Sequence, residues 1–126
     1  MHPAPEGGAY IAPGASGLLY LDYNKYNEVF SKGVADEDAL VMAVSQKPIS
    51  GAAFGTTSGV ASWKTKPSWY QISNNDKMIQ PKTETWFAER IKARKTITLD
   101  AGHASMASHS EEISALIIEA AEALAG

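Results

Sequence analysis

From Pro67 onward the chain reads strand, helix, strand, helix, and this order constrains its fold more than any other feature. Residues 68–73, Ser-Trp-Tyr-Gln-Ile-Ser, are rich in β-formers, and residues 95–99, Lys-Thr-Ile-Thr-Leu, are a second such run. Between them, residues 81–92 open on Pro81, which suits a first helical turn because the N–H it lacks would have no helical partner there. Trp86, Phe87 and Ile91 are the expected buried residues of this helix. In the last helix, Ile113, Leu116, Ile117, Ala120 and Leu124 form the clearest amphipathic stripe of the chain, and Ser108 with Glu111 has the spacing of a capping box. A β-α-β-α unit implies a parallel sheet covered by helices. Two strands make a poor parallel sheet, because such sheets are covered on both faces and usually have several strands. Trp69, Ile72, Ile97 and Leu99 thus have more apolar surface to cover than this chain provides for. The expectation is a part of a larger fold, or a chain that pairs with another.

The upstream half has a different character. Residues 1–16, rich in Pro, Gly and Ala, are expected to be a flexible lead-in, and residues 17–66 a separate helical segment. Within the latter, Gly17–Asp22 is a short extended run, and Tyr23, Tyr26 and Phe30 recur at helical spacing before Gly33. A further helix starts near Asp36, where Asp36, Glu37 and Asp38 favour the positive end of the helix dipole. Leu40, Val41 and Val44 are its expected apolar face, and Pro48 stops it. A short helical turn around Ala52–Phe54 and a Gly/Thr/Ser loop complete the segment.

Composition removes several classes of function. A net charge of −3 with no long basic run argues against nucleic-acid and anionic-membrane partners. The absence of cysteine excludes disulfides, thiolate metal sites and cysteine nucleophiles. The N-terminal residues lack the apolar core of a signal peptide, and no apolar stretch is long enough to span a bilayer, so a cytoplasmic location is the default expectation.

Two residues stand out chemically. Asp76 follows the first of the two strands in Asn74-Asn-Asp-Lys-Met-Ile-Gln-Pro81, and His103 follows the second in Ala101-Gly-His-Ala-Ser-Met-Ala-Ser-His-Ser110. A carboxylate just past a strand end can hold a histidine in one tautomer, and a histidine so held can act as a general base. Taken alone, Asp76 is more often a solvated loop or helix-capping residue, and the plain alternative for His103 is a surface histidine in a strand-to-helix loop. His109 reads as a first-turn surface residue, and Asp76, His103 and His109 match no known metal-ligand spacing, so no metal or other cofactor is expected. A nucleophile elbow, Gly-x-Ser-x-Gly, is not found: Gly51 and Gly55 centre on Ala53, while Gly55 and Gly59 centre on Thr57 with Ser58 one place off. Trp63 and Phe54 are candidate substrate-pocket residues, although tryptophans are more often core or interface residues.

These runs together resemble the α/β-hydrolase fold family. The stretch Trp63–Pro81 resembles the segment that enters the penultimate strand and carries the catalytic acid, and Leu99–Ser110 the last strand and histidine loop. Glu111–Ala125 is similar to the final helix, and residues 17–55, with Phe30, Asp36, Asp38 and the Gln46–Phe54 run, to the lid insertion. The resemblance implies an α/β fold, the C-terminal part of a hydrolase: a helical lid followed by a β-α-β-α unit (67–126) of a parallel sheet left incomplete in this chain. It implies that Asp76 is the triad acid and His103 the triad base, with a small acyl or ester substrate. It supplies no serine.

Three readings follow. The chain is a hydrolase component completed by an N-terminal half on another polypeptide; or a truncated, inert interaction module that self-associates through its sheet edge; or an independent small binding domain whose histidine is incidental. The first two give opposite expectations for catalysis, and only the first requires an external serine.

Overall fold

The computed structural model describes residues 4–125, so the first three residues of the expected lead-in lie outside the described residues. Two small sheets share the work. The first is a three-stranded antiparallel sheet of β1 (Ile11–Pro13), β2 (Leu18–Leu21) and β3 (Ile49–Ser50), in the order β1-β2-β3. Its register pairs Ile11 with Leu21 and Leu19 with Ile49. The second is the parallel pair β4 (Trp69–Ser73) and β5 (Lys95–Leu99), with Gln71 opposite Ile97 and Ser73 opposite Leu99. The sheet is therefore incomplete, as the strand count implied.

The helices are α1 (Tyr26–Val29) and α2 (Asp36–Ser45) upstream, then α3 (Pro81–Arg90), α4 (Ser105–Ser108) and α5 (Ser110–Glu122). The strand-helix-strand order from Pro67 is found within one or two residues at each end. No helix among the described residues is long and apolar enough to cross a membrane.

The differences from expectation lie where local pattern was ambiguous. Residues 6–10 form a 3-10 turn and residues 11–13 a strand, not a loop, because β2 supplies a ladder that no local signal announces. The helix anticipated from Tyr23 is one turn long: Asp22 Oδ1 accepts the Asn24 N–H at 2.9 Å and holds the chain in a turn until Lys25. In α2 the buried residues are Ala39 and Ala43, while Leu40, Val41 and Val44 are exposed. The stripes 39/43 and 40/44 have the same helical spacing, and the small one is the one that admits close packing on α1. Ser108 does not cap α5: its Oγ lies 2.9 Å from His109 Nδ1, and His109 takes the N-cap position without a side-chain capping bond to the helix. None of the α5 stripe is buried, and Ile117 and Leu124 stand more than half exposed.

The main cluster of buried apolar residues sits between the antiparallel sheet and the upstream helices. Leu21, Tyr26, Val29 and Ala43 form it, with Tyr10, Ile11, Phe30, Met42 and Met78 packed around them. Met78 comes from the turn that follows β4, so this cluster joins the upstream segment to the Asp76 region.

Candidate functional site

The site is built where the two parallel strands end. The ladder continues past both, with Asn74 N–H donating to the Leu99 carbonyl at 2.9 Å and Asn75 N–H to that of Ala101 at 3.0 Å. The Asn75 side-chain amide donates to Asp100 Oδ1 at 2.5 Å. These bonds hold the turn after β4 beside the loop after β5, and so bring Asp76 to His103.

Asp76 is buried, with its side chain 1% exposed. Its Oδ1 accepts the N–H groups of Met78 (2.6 Å) and Ile79 (2.8 Å), the pattern by which aspartate closes a turn. Its Oδ2 lies 2.7 Å from His103 Nδ1. Since a carboxylate only accepts, the contact places the proton on Nδ1 and leaves Nε2 with its lone pair. The turn-closing role and the histidine-holding role are thus both real, one on each oxygen. The His103 side chain is 30% exposed, so the ring remains reachable.

The histidine loop is tied to the upstream segment. Ala104 N–H donates to the Phe30 carbonyl at 2.8 Å and Gly102 N–H to that of Lys32 at 3.3 Å. Gly102 serves close approach and not an unusual backbone angle: among the described residues the positive-φ glycines are Gly17 and Gly33. A Cβ on Gly102 would stand 3.0 Å from both the Cβ and the carbonyl oxygen of Lys32. The Phe30 ring lies 4.9 Å from the His103 ring and 4.9 Å from that of Tyr26.

Phe30 and Tyr26 also line an apolar cavity of about 360 Å³, together with Ile11, Leu21, Phe54 and Met78. Phe54, a candidate pocket residue from the sequence, is among the residues that line this cavity. Trp63 does not line this cavity: it packs against Arg90, whose guanidinium lies 5.6 Å from its ring and 4.9 Å from that of Trp86. Among the described residues, no three His, Asp or Glu side chains cluster as a metal site.

Sequence reasoning missed Glu84. It is buried in α3, and its Oε2 accepts the Ser73 N–H at 2.7 Å. Desolvation above all, with the neighbouring Asp76 adding to it, pushes its carboxyl up to about 7 against the opposing pull of the Ser73 N–H and of His103. A signal was present: Glu84, Phe87, Ala88 and Ile91 share one helical face, and an acid in an otherwise apolar stripe is out of place unless it has a partner. The same helix shows why Trp86 is not buried: it lies off that face and is 38% exposed.

Comparison with known proteins adds three findings. A family model described as "Alpha/beta hydrolase family" matches residues 2–116. No curated protein matches the sequence. Among solved structures, the chain is similar to polyneuridine aldehyde esterase, with 16% identity and a TM-score of 0.70, and to a mutant form of that esterase, with 15% identity and a TM-score of 0.69. Each match covers 86% of this chain and 46% of the esterase chain, so the chain spans about half the length of the structures it matches.

Proposed function

Because the chain belongs to the alpha/beta hydrolase family, we propose that it is the C-terminal portion of an esterase-like serine hydrolase, contributing the triad acid Asp76 and the triad base His103. The observation that carries this reading is the 2.7 Å contact between a buried carboxylate and His103 Nδ1, with Nε2 left as a base. The nucleophile serine and the oxyanion hole come from polypeptide outside this sequence, which has no Gly-x-Ser-x-Gly. The coverage of about half of each similar esterase chain and the two-stranded sheet support this division.

In the completed enzyme, His103 Nε2 takes the proton of the serine hydroxyl as its oxygen attacks the ester carbonyl. Asp76 holds the ring and stabilises the imidazolium. The tetrahedral intermediate collapses, and the imidazolium returns the proton to the departing alcohol. Water, deprotonated by the same nitrogen, then attacks the acyl-serine ester, and the imidazolium returns that proton to the departing serine oxygen as the acid is released. The cavity beside Phe30, lined by apolar side chains, fits a small apolar acyl or alcohol group of the substrate.

The test is to treat the natively expressed protein with a fluorophosphonate and locate the modified serine by mass spectrometry. The expected label lies in a Gly-x-Ser-x-Gly segment outside these 126 residues, and His103→Ala lowers labelling by about a thousandfold or more. A label on a serine of this chain, labelling that survives His103→Ala, or no labelling of the native protein would each overturn the proposal, the last in favour of an inert module.

A further inference from the structure

We propose that Tyr26 sets the specificity of the cavity beside Phe30: its hydroxyl donates a hydrogen bond to an acceptor oxygen on an otherwise apolar, ring-bearing group of the substrate. The inference deepens the hydrolase reading and rests on it for the ester, while the binding it describes needs no serine.

One turn of helix carries both aromatic residues. Tyr26 opens α1 and Phe30 is its C-cap, so the two are four apart and share a face. The Phe30 ring lies 4.9 Å from the His103 ring and 4.9 Å from the Tyr26 ring. The phenol ring is therefore within twice that distance of the imidazole. A flat apolar ring attached to the ester at His103 can run past Phe30 and present a substituent to Tyr26.

The polar lining of the cavity leaves one group for this role. The lining side chains with nitrogen or oxygen are Tyr20, Tyr26, Gln46 and Lys47. The Gln46 amide is already used: its Oε1 accepts the Leu21 N–H at 3.0 Å, and its Nε2 donates to the carbonyls of Leu21 at 2.9 Å and Ala43 at 3.0 Å. Tyr20 and Lys47 are exposed, so water serves both. Tyr26 is different. It is only 7% exposed, and among the described residues no group makes a hydrogen bond with its hydroxyl. No fully buried side-chain nitrogen or oxygen of the described residues lacks a partner, so this hydroxyl keeps a little surface, and the space that Tyr26 lines is the cavity. A hydroxyl in apolar surroundings without a partner costs free energy, which a ligand that supplies the partner recovers. Burial also raises the phenol above its ordinary value, so it keeps its proton and remains a donor.

The donor is held in place before a ligand arrives. Tyr26 packs in the main apolar cluster with Leu21, Val29 and Ala43, so little side-chain freedom is lost on binding. The walls around it, Ile11, Phe30 and Met78 among them, offer no polar side-chain partner of comparable strength. An oxygen placed elsewhere on the ring would be desolvated with nothing to bond, so the site selects by the position of the oxygen as well as its presence.

The experiment compares acetophenone with ethylbenzene, the same carbon skeleton without the oxygen, as ligands of the natively expressed protein and of its Tyr26→Phe variant. The methyl signal of Met78, from the cavity wall, reports occupancy by NMR. Phenylalanine keeps the ring and its packing and removes only the hydroxyl. Both ligands are expected to shift the Met78 signal. Acetophenone should bind Tyr26→Phe about three- to tenfold more weakly than wild type, while ethylbenzene binds both alike, which also shows that the variant is folded. Equal losses for the two ligands, no loss for acetophenone, or no Met78 shift with either would overturn the proposal. Fluorophosphonate treatment of the same samples keeps the two readings apart. A protein that discriminates the ketone through Tyr26 and takes no label defeats the hydrolase reading and leaves this one standing; a labelled protein without that discrimination does the reverse.

Discussion

Replacing Glu84 with glutamine should change how stability depends on pH, in a direction opposite to the usual behaviour of carboxylates. The Glu84 carboxyl rises from 4.5 to about 7 on folding, so the folded chain holds this proton more tightly than the unfolded chain does. The stabilisation is therefore fully present below pH 4.5 and is lost as pH rises through about 7. At 1.36 kcal/mol per pH unit, the span from 4.5 to about 7 corresponds to roughly 3 kcal/mol. Glu84 is 7% exposed, so little of this is screened by solvent. In Glu84→Gln that proton linkage is gone, while the other titrating groups are retained. The difference in stability between the two proteins should thus change by roughly 3 kcal/mol between pH 4.5 and pH 8.5, the wild type losing ground as pH rises. Urea unfolding followed by tryptophan fluorescence at several pH values measures this, because urea adds no ions that would screen the charges. Parallel stability curves for the two proteins, or a wild type that gains relative to the variant at high pH, would refute the assignment of a neutral buried acid at this position.

Two further substitutions test the construction of the site. Asp76→Ala leaves the N–H groups of Met78 and Ile79 and the His103 Nδ1–H without their acceptor. It should cost about 2–4 kcal/mol in urea unfolding, with loss of the low-field Nδ1 proton signal of His103. Gly102→Ala places a Cβ against the Lys32 backbone and should cost about 1–3 kcal/mol. The Gly102 and Ala104 bonds to Lys32 and Phe30 should also open, read as faster amide exchange at residues 102 and 104.

The order of elements from Pro67 to the end was legible because it rests on local chemistry. Alternating β-rich and helical runs, a proline at a first turn and polar strand ends each act over a few residues, and β4, α3 and β5 follow them. The same locality made Asp76 and His103 visible, since both lie at strand ends, and the incomplete sheet visible, since strands can be counted. What tertiary structure decided is what depends on a partner distant in sequence. Ile11–Pro13 became a strand only because β2 lies beside it. Ala39 and Ala43, not Leu40 and Val44, turned inward because α1 approaches that face of α2. The Trp63 ring found Arg90 and not the cavity. Glu84 is the sharpest case: a charge in an apolar stripe is a local anomaly, but what it means depends on Asp76 and the Ser73 N–H, which folding alone brings to it.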